Sequence, residues 1–445
     1  MIILESHMNL KRQYLLSFLF GMFGLLVYSP AISQTGGGEI IVKGKIIGAE
    51  SQKPLAFATI NILGTPRGVV SNFMGDFVFR IPSAHAKDTL YVSMLGYHPR
   101  KMVVNNAKTK PRLTIVLQER AIMLDEVEVN TDQLSARKIV ENVIENIPVN
   151  YTTSPYLLEC FGRFYKSECG EYKFLYEATF DLYGEGYTKG KRHKVEKIYL
   201  KETRQTARTK YMSVALRVEN NGVATLRFAN DLLTKIHSLN LSKNVYEQQE
   251  YTLLDNRLVY VIKAKAKRGW ENNINYLYVD AESFALLKSV WQIEFSDNER
   301  PKRQSSDSTW EQSTSILKTV EFKKEGNKYY PKYFNTLVAG KIFRNETNEE
   351  LCTWAFQTEM VVNKINADSV KEPPPEELMQ RVGLGSQLKP YNAAFWENYQ
   401  TLKDFPITDQ AVKDLSKSAD LDTQFRNSYD EAEELKAARK KKSNE

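Results

Sequence analysis

The stretch that decides the fold begins with IVKGKIIG at residues 41–48 and PLAFATINIL at residues 54–63, and it ends with LTIVL at residues 113–117. Apolar and polar side chains alternate along these runs, and such a period of two predicts half-buried β-strands. The runs are separated by residues that form turns, namely Gly64, Gly68, Asn72, Gly75, Asp76 and Gly96. Several short strands at this spacing predict a small antiparallel β-sandwich.

The same stretch resembles a known family through the order of its landmarks. These are Gly44-Lys45-Ile46, Pro54-Leu55, Gly68, Ser71-Asn72-Phe73-Met74-Gly75-Asp76-Phe77 and Leu95-Gly96-Tyr97. Together they resemble the carboxypeptidase-regulatory-like domain, with Asn72 where an aspartate is more usual. The resemblance implies a transthyretin-like, Ig-like sandwich over residues 40–118, of the kind frequent at the N-terminus of envelope proteins of Bacteroidetes-type Gram-negative bacteria. In that family the domain is an accessory module without zinc ligands.

The segment before the sandwich indicates export. Lys11 and Arg12 precede an apolar run from residue 14 to residue 28, and Ala31-Ile32-Ser33 supplies small residues for a signal peptidase. We therefore expect residues 1–33 to be a signal peptide that is cleaved after Ser33. An uncleaved membrane anchor is the alternative, although the apolar run is short for a span. The predicted location is the periplasm or the outer membrane, with no transmembrane span in the mature chain.

Composition excludes some classes of function. The 61 basic and 54 acidic residues are scattered along the chain, so the net charge of +7 does not predict nucleic-acid binding. The three cysteines are Cys160, Cys169 and Cys352, an odd number that leaves at least one free or paired between chains. We expect buried free thiols.

A connecting segment follows the sandwich over residues 119–150. Residues 124–129 predict one more strand, and a helix before Pro148 has its apolar residues at spacings of three and four: Ile139, Val140, Val143, Ile144 and Ile147. This helix should pack on the next domain.

Residues 151–365 predict a large, curved antiparallel sheet or half-barrel. Long apolar strands follow one another as hairpins, with turns such as Glu168 to Glu171 and Glu325-Gly326-Asn327. Residues 195–204 and 211–218 predict a looser pair of strands, and residues 223–239 predict a covering helix. The clearest alternation sets Ile262 and Ala264 against Lys263 and Lys265. The predicted fold class is therefore mainly β, with a sandwich, a long sheet and a few packing helices.

One phrase of the long sheet, residues 275–284, is similar to the incomplete barrels of periplasmic lipoprotein carriers and lipid carriers. That resemblance implies a concave apolar face for an acyl chain. Its candidate residues are Tyr260, Ile262, Tyr278, Leu287, Trp291, Phe295, Tyr333 and Leu337. The alternative is that these side chains simply pack against the predicted helices.

The C-terminal part begins with a polyproline break. Glu372-Pro373-Pro374-Pro375-Glu376 should leave the sheet, and residues 366–430 should then form helices. Phe395, Trp396 and Tyr399 give one of these helices an aromatic face that should dock back on the body. Residues 431–445 are a charge-dense tail that predicts a solvated helix fraying into disorder, rather than a membrane contact.

No catalytic or metal motif stands out. The histidines after the signal peptide are His85, His98, His193 and His237, too far apart for a zincin pair. His85 is followed at three residues by Asp88, without a third ligand. Gly-x-Ser-x-Gly, phosphate-loop and dinucleotide motifs are absent from the sequence. We therefore expect that the protein binds no cofactor or metal and is not an enzyme. A site that forms only when distant residues meet in the fold has no sequence motif.

Three functions remain in competition. We favour an exported cell-envelope protein that acts as a non-catalytic binding or interaction module for an envelope protein, a glycan or a lipid-like ligand, with membrane association. The first alternative is a periplasmic carrier of a lipid-like ligand in the half-barrel. The second is a hydrolase with the sandwich as accessory domain. A transporter barrel is excluded, because about ten predicted strands are too few and lysines would face the lipid.

Overall fold

The computed structural model describes most of the chain from residue 38 onward. The described ranges are 38–119, 134–187, 197–207, 241–268, 272–296, 303–378, 388–399 and 407–444, with short gaps inside them at 53, 56–57, 64, 66–67, 72–74, 95–96, 109–110, 250, 255–256 and 307. Four predicted features lie outside these residues: the signal peptide, the strand at 124–129, the strand at 211–218 and the helix at 223–239.

The N-terminal domain is the predicted β-sandwich, which is confirmed. Its strands are β1 (Glu39–Gly48), β2 (Thr59–Ile62), β3 (Gly68–Val70), β4 (Asp76–Pro82), β5 (Thr89–Ser93), β6 (Arg100–Val103) and β7 (Leu113–Leu117), and its one α-helix among the described residues is α1 (Val104–Lys108). The sheets have the orders β4-β1-β7 and β3-β2-β5-β6, and β1 pairs with β7 in parallel, whereas the sequence pattern predicts antiparallel pairing. Alternate residues of β1 are buried, as the sequence pattern predicts, because one face of each sheet packs against the other sheet.

An amphipathic helix connects the two domains. Helix α2 (Ala136–Glu145) begins after Ser135, whose hydroxyl oxygen accepts a hydrogen bond from the Lys138 backbone N–H at 3.2 Å. Its buried residues include the apolar ones that the spacing predicts, Ile139, Val140, Val143 and Ile144. A short helix, α3 (Ile147–Asn150), follows directly.

The second domain is the predicted long antiparallel sheet, which is also confirmed. Its strands are β8 (Tyr156–Glu168), β9 (Glu171–Gly184), β10 (Lys197–Gln205), β11 (Asn244–Gln248), β12 (Thr252–Leu254), β13 (Arg257–Ala266), β14 (Asn272–Asp280), β15 (Leu286–Glu294), β16 (Arg303–Gln304), β17 (Thr309–Glu325), β18 (Lys328–Arg344) and β19 (Glu350–Asn366). The order is β10-β9-β8-β19-β18-β17-β15-β14-β13-β11, with β12 on β13 and β16 on β17. Strand β19 therefore returns to lie beside β8, and two hairpin series form one sheet.

The C-terminal segment is helical. After a 3-10 turn at Pro375–Glu377 come α4 (Ala393–Asn398), α5 (Asp409–Leu415) and α6 (Leu421–Asn444). Helix α6 continues without a break through residue 431, where the charge-dense tail begins in the sequence. In the described residues, no helix is both long enough and apolar enough to cross a membrane.

A disulfide corrects the expected state of two cysteines. Cys169 and Cys352 are bonded, across 183 residues of sequence, whereas Cys160 is free and buried as expected. Cys169 lies in the turn between β8 and β9, and its backbone N–H donates to the Thr353 carbonyl oxygen at 2.9 Å. The turn thus reaches the neighbouring strand β19, a pairing that local sequence could not reveal.

Candidate functional site

The strand register gives the long sheet two distinct faces, because residues paired across neighbouring antiparallel strands point to the same side. One face, called here the α2 face, carries a row that crosses nine strands: Ile262, Leu277, Ser289, Val320, Phe334, Met360, Gly162, Ala178 and Thr203. The opposite face, called the C-terminal face, carries a parallel row: Lys263, Tyr276, Val290, Thr319, Asn335, Glu359, Arg163, Glu177 and Arg204.

The residues predicted to line an acyl-chain site do not share one face. Tyr260, Ile262 and Trp291 belong to the α2 face. The register places three others, Tyr278, Tyr333 and Leu337, on the C-terminal face. Leu287 lies at the irregularity in β15 and is buried with the α2-side core, and Phe295 follows the end of β15. The register between strands decides this split: Tyr260 and Ile262, like Tyr333 and Leu337, are an even number of positions apart and share a face, whereas Tyr278 pairs with Val261 and therefore lies on the face opposite to that of Ile262.

The α2 face is largely a packed hydrophobic core. Ile262 and Leu287 are buried in the same cluster as Ile139 and Val143 of α2. Tyr260 and Trp291 pack against this cluster while partly buried, and the indole N–H of Trp291 donates to Asn273 Oδ1 at 2.6 Å. Ile262 and Leu287, the fully buried residues of the predicted ligand face, are therefore part of the hydrophobic core.

The C-terminal face carries a buried ion cluster on β10, β9, β8 and β19, at one side of the sheet. The Nε–H groups of Arg163 and Arg204 donate to the two carboxylate oxygens of Glu177, each at 2.6 Å. Glu177 is fully buried and Arg163 nearly so. Burial acts to raise the pKa of Glu177, but the charges of Arg204 and Arg163 outweigh it and hold that pKa below its ordinary value. Glu177 is thus a buried anion between two guanidinium groups.

Glu359 extends this cluster on the next strand. It pairs in register with Arg163, and its Oε1 accepts hydrogen bonds from Gln357 Nε2 at 2.7 Å and from the Tyr333 hydroxyl at 3.4 Å. Burial raises the pKa of Glu359 to about 7, against the lowering effects of the Arg163 charge and the Tyr333 hydrogen bond. A carboxyl group of this kind can take up or release a proton near neutral pH.

The C-terminal helices cover the ion cluster. The guanidinium carbon of Arg204 lies 4.5 Å from the ring centroid of Trp396 in α4 and 4.7 Å from that of Phe425 in α6. In α5, the Asp414 carboxylate accepts the backbone N–H of Tyr172 at 3.2 Å. The predicted docking of the aromatic helix therefore occurs, and Trp396 is its buried anchor.

The sequence patterns did not predict the buried ion cluster. In an alternating strand, a charged side chain normally indicates the side of the sheet that faces solvent. The sequence positions of Arg163, Glu177 and Glu359 therefore suggested exposure. The one sequence signal for this site was the predicted aromatic helix near the end of the chain, because its apolar face had to pack against another part of the protein.

The described residues offer no ready metal site. His85 Nδ1 lies 2.7 Å from Asp88 Oδ2, so these two residues, whose spacing alone did not indicate a metal site, are in contact. Among the residues that the structure describes, no group of three or more histidine, cysteine, aspartate and glutamate side chains is arranged to hold a metal ion.

Comparison with known families identifies the N-terminal domain. Residues 42–129 match the family described as the CarboxypepD_reg-like domain. The predicted resemblance is confirmed, and the match covers about a fifth of the chain. None of the curated proteins matches the chain.

Comparison with solved structures finds proteins that match about half of this chain. A DUF1329 family protein from Desulfovibrio piger is 10% identical, with 54% of this chain and 96% of that chain covered, at a TM-score of 0.26. A putative outer membrane lipoprotein-sorting protein domain from Vibrio parahaemolyticus is 10% identical, with 53% and 95% covered, at 0.26. A LolA superfamily protein from Nitrosomonas europaea is 9% identical, with 56% and 99% covered, at 0.23. With TM-scores this low, the names of these proteins carry no conclusion about what this chain binds.

Proposed function

We propose that this chain is an exported cell-envelope protein that works as a non-catalytic binding module. The CarboxypepD_reg-like sandwich is its N-terminal adaptor, and the long sheet with its helices is the part that engages a partner. The partner class is an envelope protein, a glycan or a lipid-like molecule.

The observation that carries the proposal is the Cys169–Cys352 disulfide in a chain that contains the CarboxypepD_reg-like sandwich at residues 42–129. Disulfides form and persist in oxidising compartments such as the bacterial periplasm and are rare in the cytosol. The bond joins the β8–β9 turn to β19. It therefore links two strands, β8 and β19, that lie side by side in the sheet although they are its first and last strands along the chain.

The packing of the long sheet favours a module over a carrier. Ile262 and Leu287, two of the predicted acyl-chain contacts, are 0% and 1% exposed within the core. Buried core side chains stabilise the fold through their own contacts and are not free to line a ligand site. No observation on the described residues favours the hydrolase.

Fractionation with thiol trapping tests the proposal. Cells that express the chain would be alkylated in intact form, fractionated, and digested without reduction for mass spectrometry. We expect the chain in the periplasmic or membrane fraction, with a Cys169–Cys352 cross-linked peptide. A cytosolic chain with both cysteines alkylated would contradict export. The cytosolic variant that lacks residues 1–33 is the matched control.

A further inference from the structure

Several exposed apolar side chains gather at one end of the long sheet. Val149 in α3, Tyr251 before β12 and Leu258 in β13 are 64%, 41% and 52% exposed. Tyr260 and Phe284 are partly buried beside them. All five lie at the end of the sheet that also holds the β14–β15 and β17–β18 turns, and they are called here the apolar rim.

Ring contacts join three residues of the apolar rim, and hydrogen bonds hold the segments that carry the other two nearby. The ring centroids of Tyr251 and Tyr260 are 5.3 Å apart, and those of Tyr260 and Phe284 are 6.3 Å apart in a stacked arrangement. The side-chain amide of Asn150 donates to the Ser283 carbonyl oxygen at 2.8 Å, which ties α3 to the turn that carries Phe284. The Ala281 N–H donates to the Leu258 carbonyl oxygen at 3.0 Å. Ring contacts thus join Tyr251, Tyr260 and Phe284, and hydrogen bonds hold α3 and Leu258 against the turn that carries Phe284.

Phe284 is held at the rim in an unfavourable backbone conformation. Its φ is 56°, in the left-handed region, where a bulky residue is uncommon and strained. Its N–H donates to the Asp280 carbonyl oxygen at 3.0 Å, and the Ser283 N–H donates to Asp280 Oδ1 at 2.8 Å. The turn thus fixes an aromatic ring where glycine or asparagine would relieve the strain, and such outliers cluster at functional sites.

Lysines of the β17–β18 hairpin stand next to the rim. Lys328 Nζ donates to the carbonyl oxygens of Pro148 and Val149, at 3.0 and 2.8 Å. Lys324 Nζ lies 5.9 Å from the Tyr329 ring centroid, and Lys323 belongs to the same strand end. Exposed Glu325 offsets part of this charge, with its carboxylate 3.9 Å from Lys323 Nζ. The rim thus combines aliphatic tips, amphipathic tyrosines and ammonium groups.

We propose that the apolar rim docks on the surface of a phospholipid bilayer that contains anionic head groups. Tyrosines and lysines suit the boundary between acyl chains and head groups, where Val149, Leu258 and Phe284 would enter the apolar layer. A stable protein interface uses about 20–30 residues on each side, far more than this rim presents, whereas a bilayer gains affinity from a few inserted side chains together with charge. The inference adds a docking surface to the proposed binding module.

Vesicle co-sedimentation with the purified chain tests this inference. Vesicles of phosphatidylethanolamine and phosphatidylglycerol are the probe, and vesicles of phosphatidylcholine alone measure binding without anionic charge. We expect the chain to sediment with the anionic vesicles and the Val149→Asp/Leu258→Asp variant to bind about tenfold or more weakly, because charged side chains do not enter the apolar layer. The matched control is Leu351→Asp, at the opposite end of the same sheet and 40% exposed, which should bind as the wild type does.

Two outcomes would overturn the inference. The first is absence of vesicle binding by the wild type, including the case in which a photo-crosslinker at Val149 captures an envelope protein instead. The second is equal loss of binding in the rim variant and the control. If the double variant fails to fold, Val149→Ser replaces it, since this side chain is the most exposed of the rim. The assay uses purified protein, so a failure of export would not affect its result.

Discussion

Arg163 Nε lies 2.6 Å from Glu177 Oε1 on adjacent strands of the long sheet, and both side chains are buried. Arg204 holds the other carboxylate oxygen, and Trp396 and Phe425 cover the guanidinium group of Arg204. The C-terminal helices thus pack over a buried ion cluster. The charged residues of this cluster come together only in the folded chain, and we expect them to stabilise the second domain.

Replacing Glu177 should therefore be strongly destabilising. Glu177→Gln leaves two guanidinium groups buried without their anion, and breaking a buried pair in this way costs about 3–5 kcal/mol. Urea denaturation would measure the free energy of unfolding. Glu171→Gln is the control, because the Glu171 contacts with Lys173 and Lys417 lie at the surface and should leave the transition nearly unchanged. Equal transitions for Glu177→Gln and wild type would show that the cluster does not hold the fold.

Glu359 should make stability depend on pH. Its pKa is about 7 in the folded chain, against an ordinary value of 4.5, so between these values the folded state binds more protons than the unfolded state. Its contribution to stability is therefore complete below about pH 4.5 and is lost as the pH rises through about 7.

The Glu359→Gln variant isolates this contribution. The free energy of unfolding of the wild type, minus that of the variant, should fall from pH 4.5 to pH 7 and then level off. Subtraction removes the other titrating groups, which the two proteins share. A difference that is constant over this range would mean that Glu359 titrates normally in the folded chain.

The disulfide predicts the number of reactive thiols. Denatured but unreduced chain should react with one equivalent of a maleimide, at Cys160, and reduced chain with three. Mass spectrometry would count the adducts. Cys352→Ser should lower the free energy of unfolding by about 2–5 kcal/mol, because the bond closes a long loop. Three adducts before reduction would contradict the assignment.

A buried and an exposed residue of β13 should respond differently to truncation. Ile262→Ala removes a fully buried side chain and should destabilise the chain by about 2–5 kcal/mol. Leu258→Ala, on the same strand but 52% exposed, should change the free energy of unfolding by less than about 0.5 kcal/mol. Thermal or urea unfolding in buffer without lipid would compare them. A small effect at Ile262 would revive a role for this side chain in ligand binding.

Local patterns were enough to predict most of the architecture. The alternation in β1 and β7, the spacing of α2 and the turns of the long hairpins depend on nearby residues, so one sequence reveals them. The split of the predicted ligand face needed the strand register, because Tyr278 and Ile262 are on different strands whose pairing the sequence does not specify. The hairpin of β8 and β9 was predictable from its turn, but the Cys169–Cys352 bond and the contact of Glu359 with the cluster depend on β19 lying beside β8, a long-range pairing that local sequence does not indicate.

Native purification from the envelope is the most direct test of the central claim that the chain is a binding module. The chain would be isolated from membrane and periplasmic fractions under mild conditions, and co-purifying proteins, glycans and lipids would be identified by mass spectrometry. We predict a reproducible partner that is retained by Leu351→Asp. An isolated chain without any partner, in both fractions and after crosslinking, would contradict the claim.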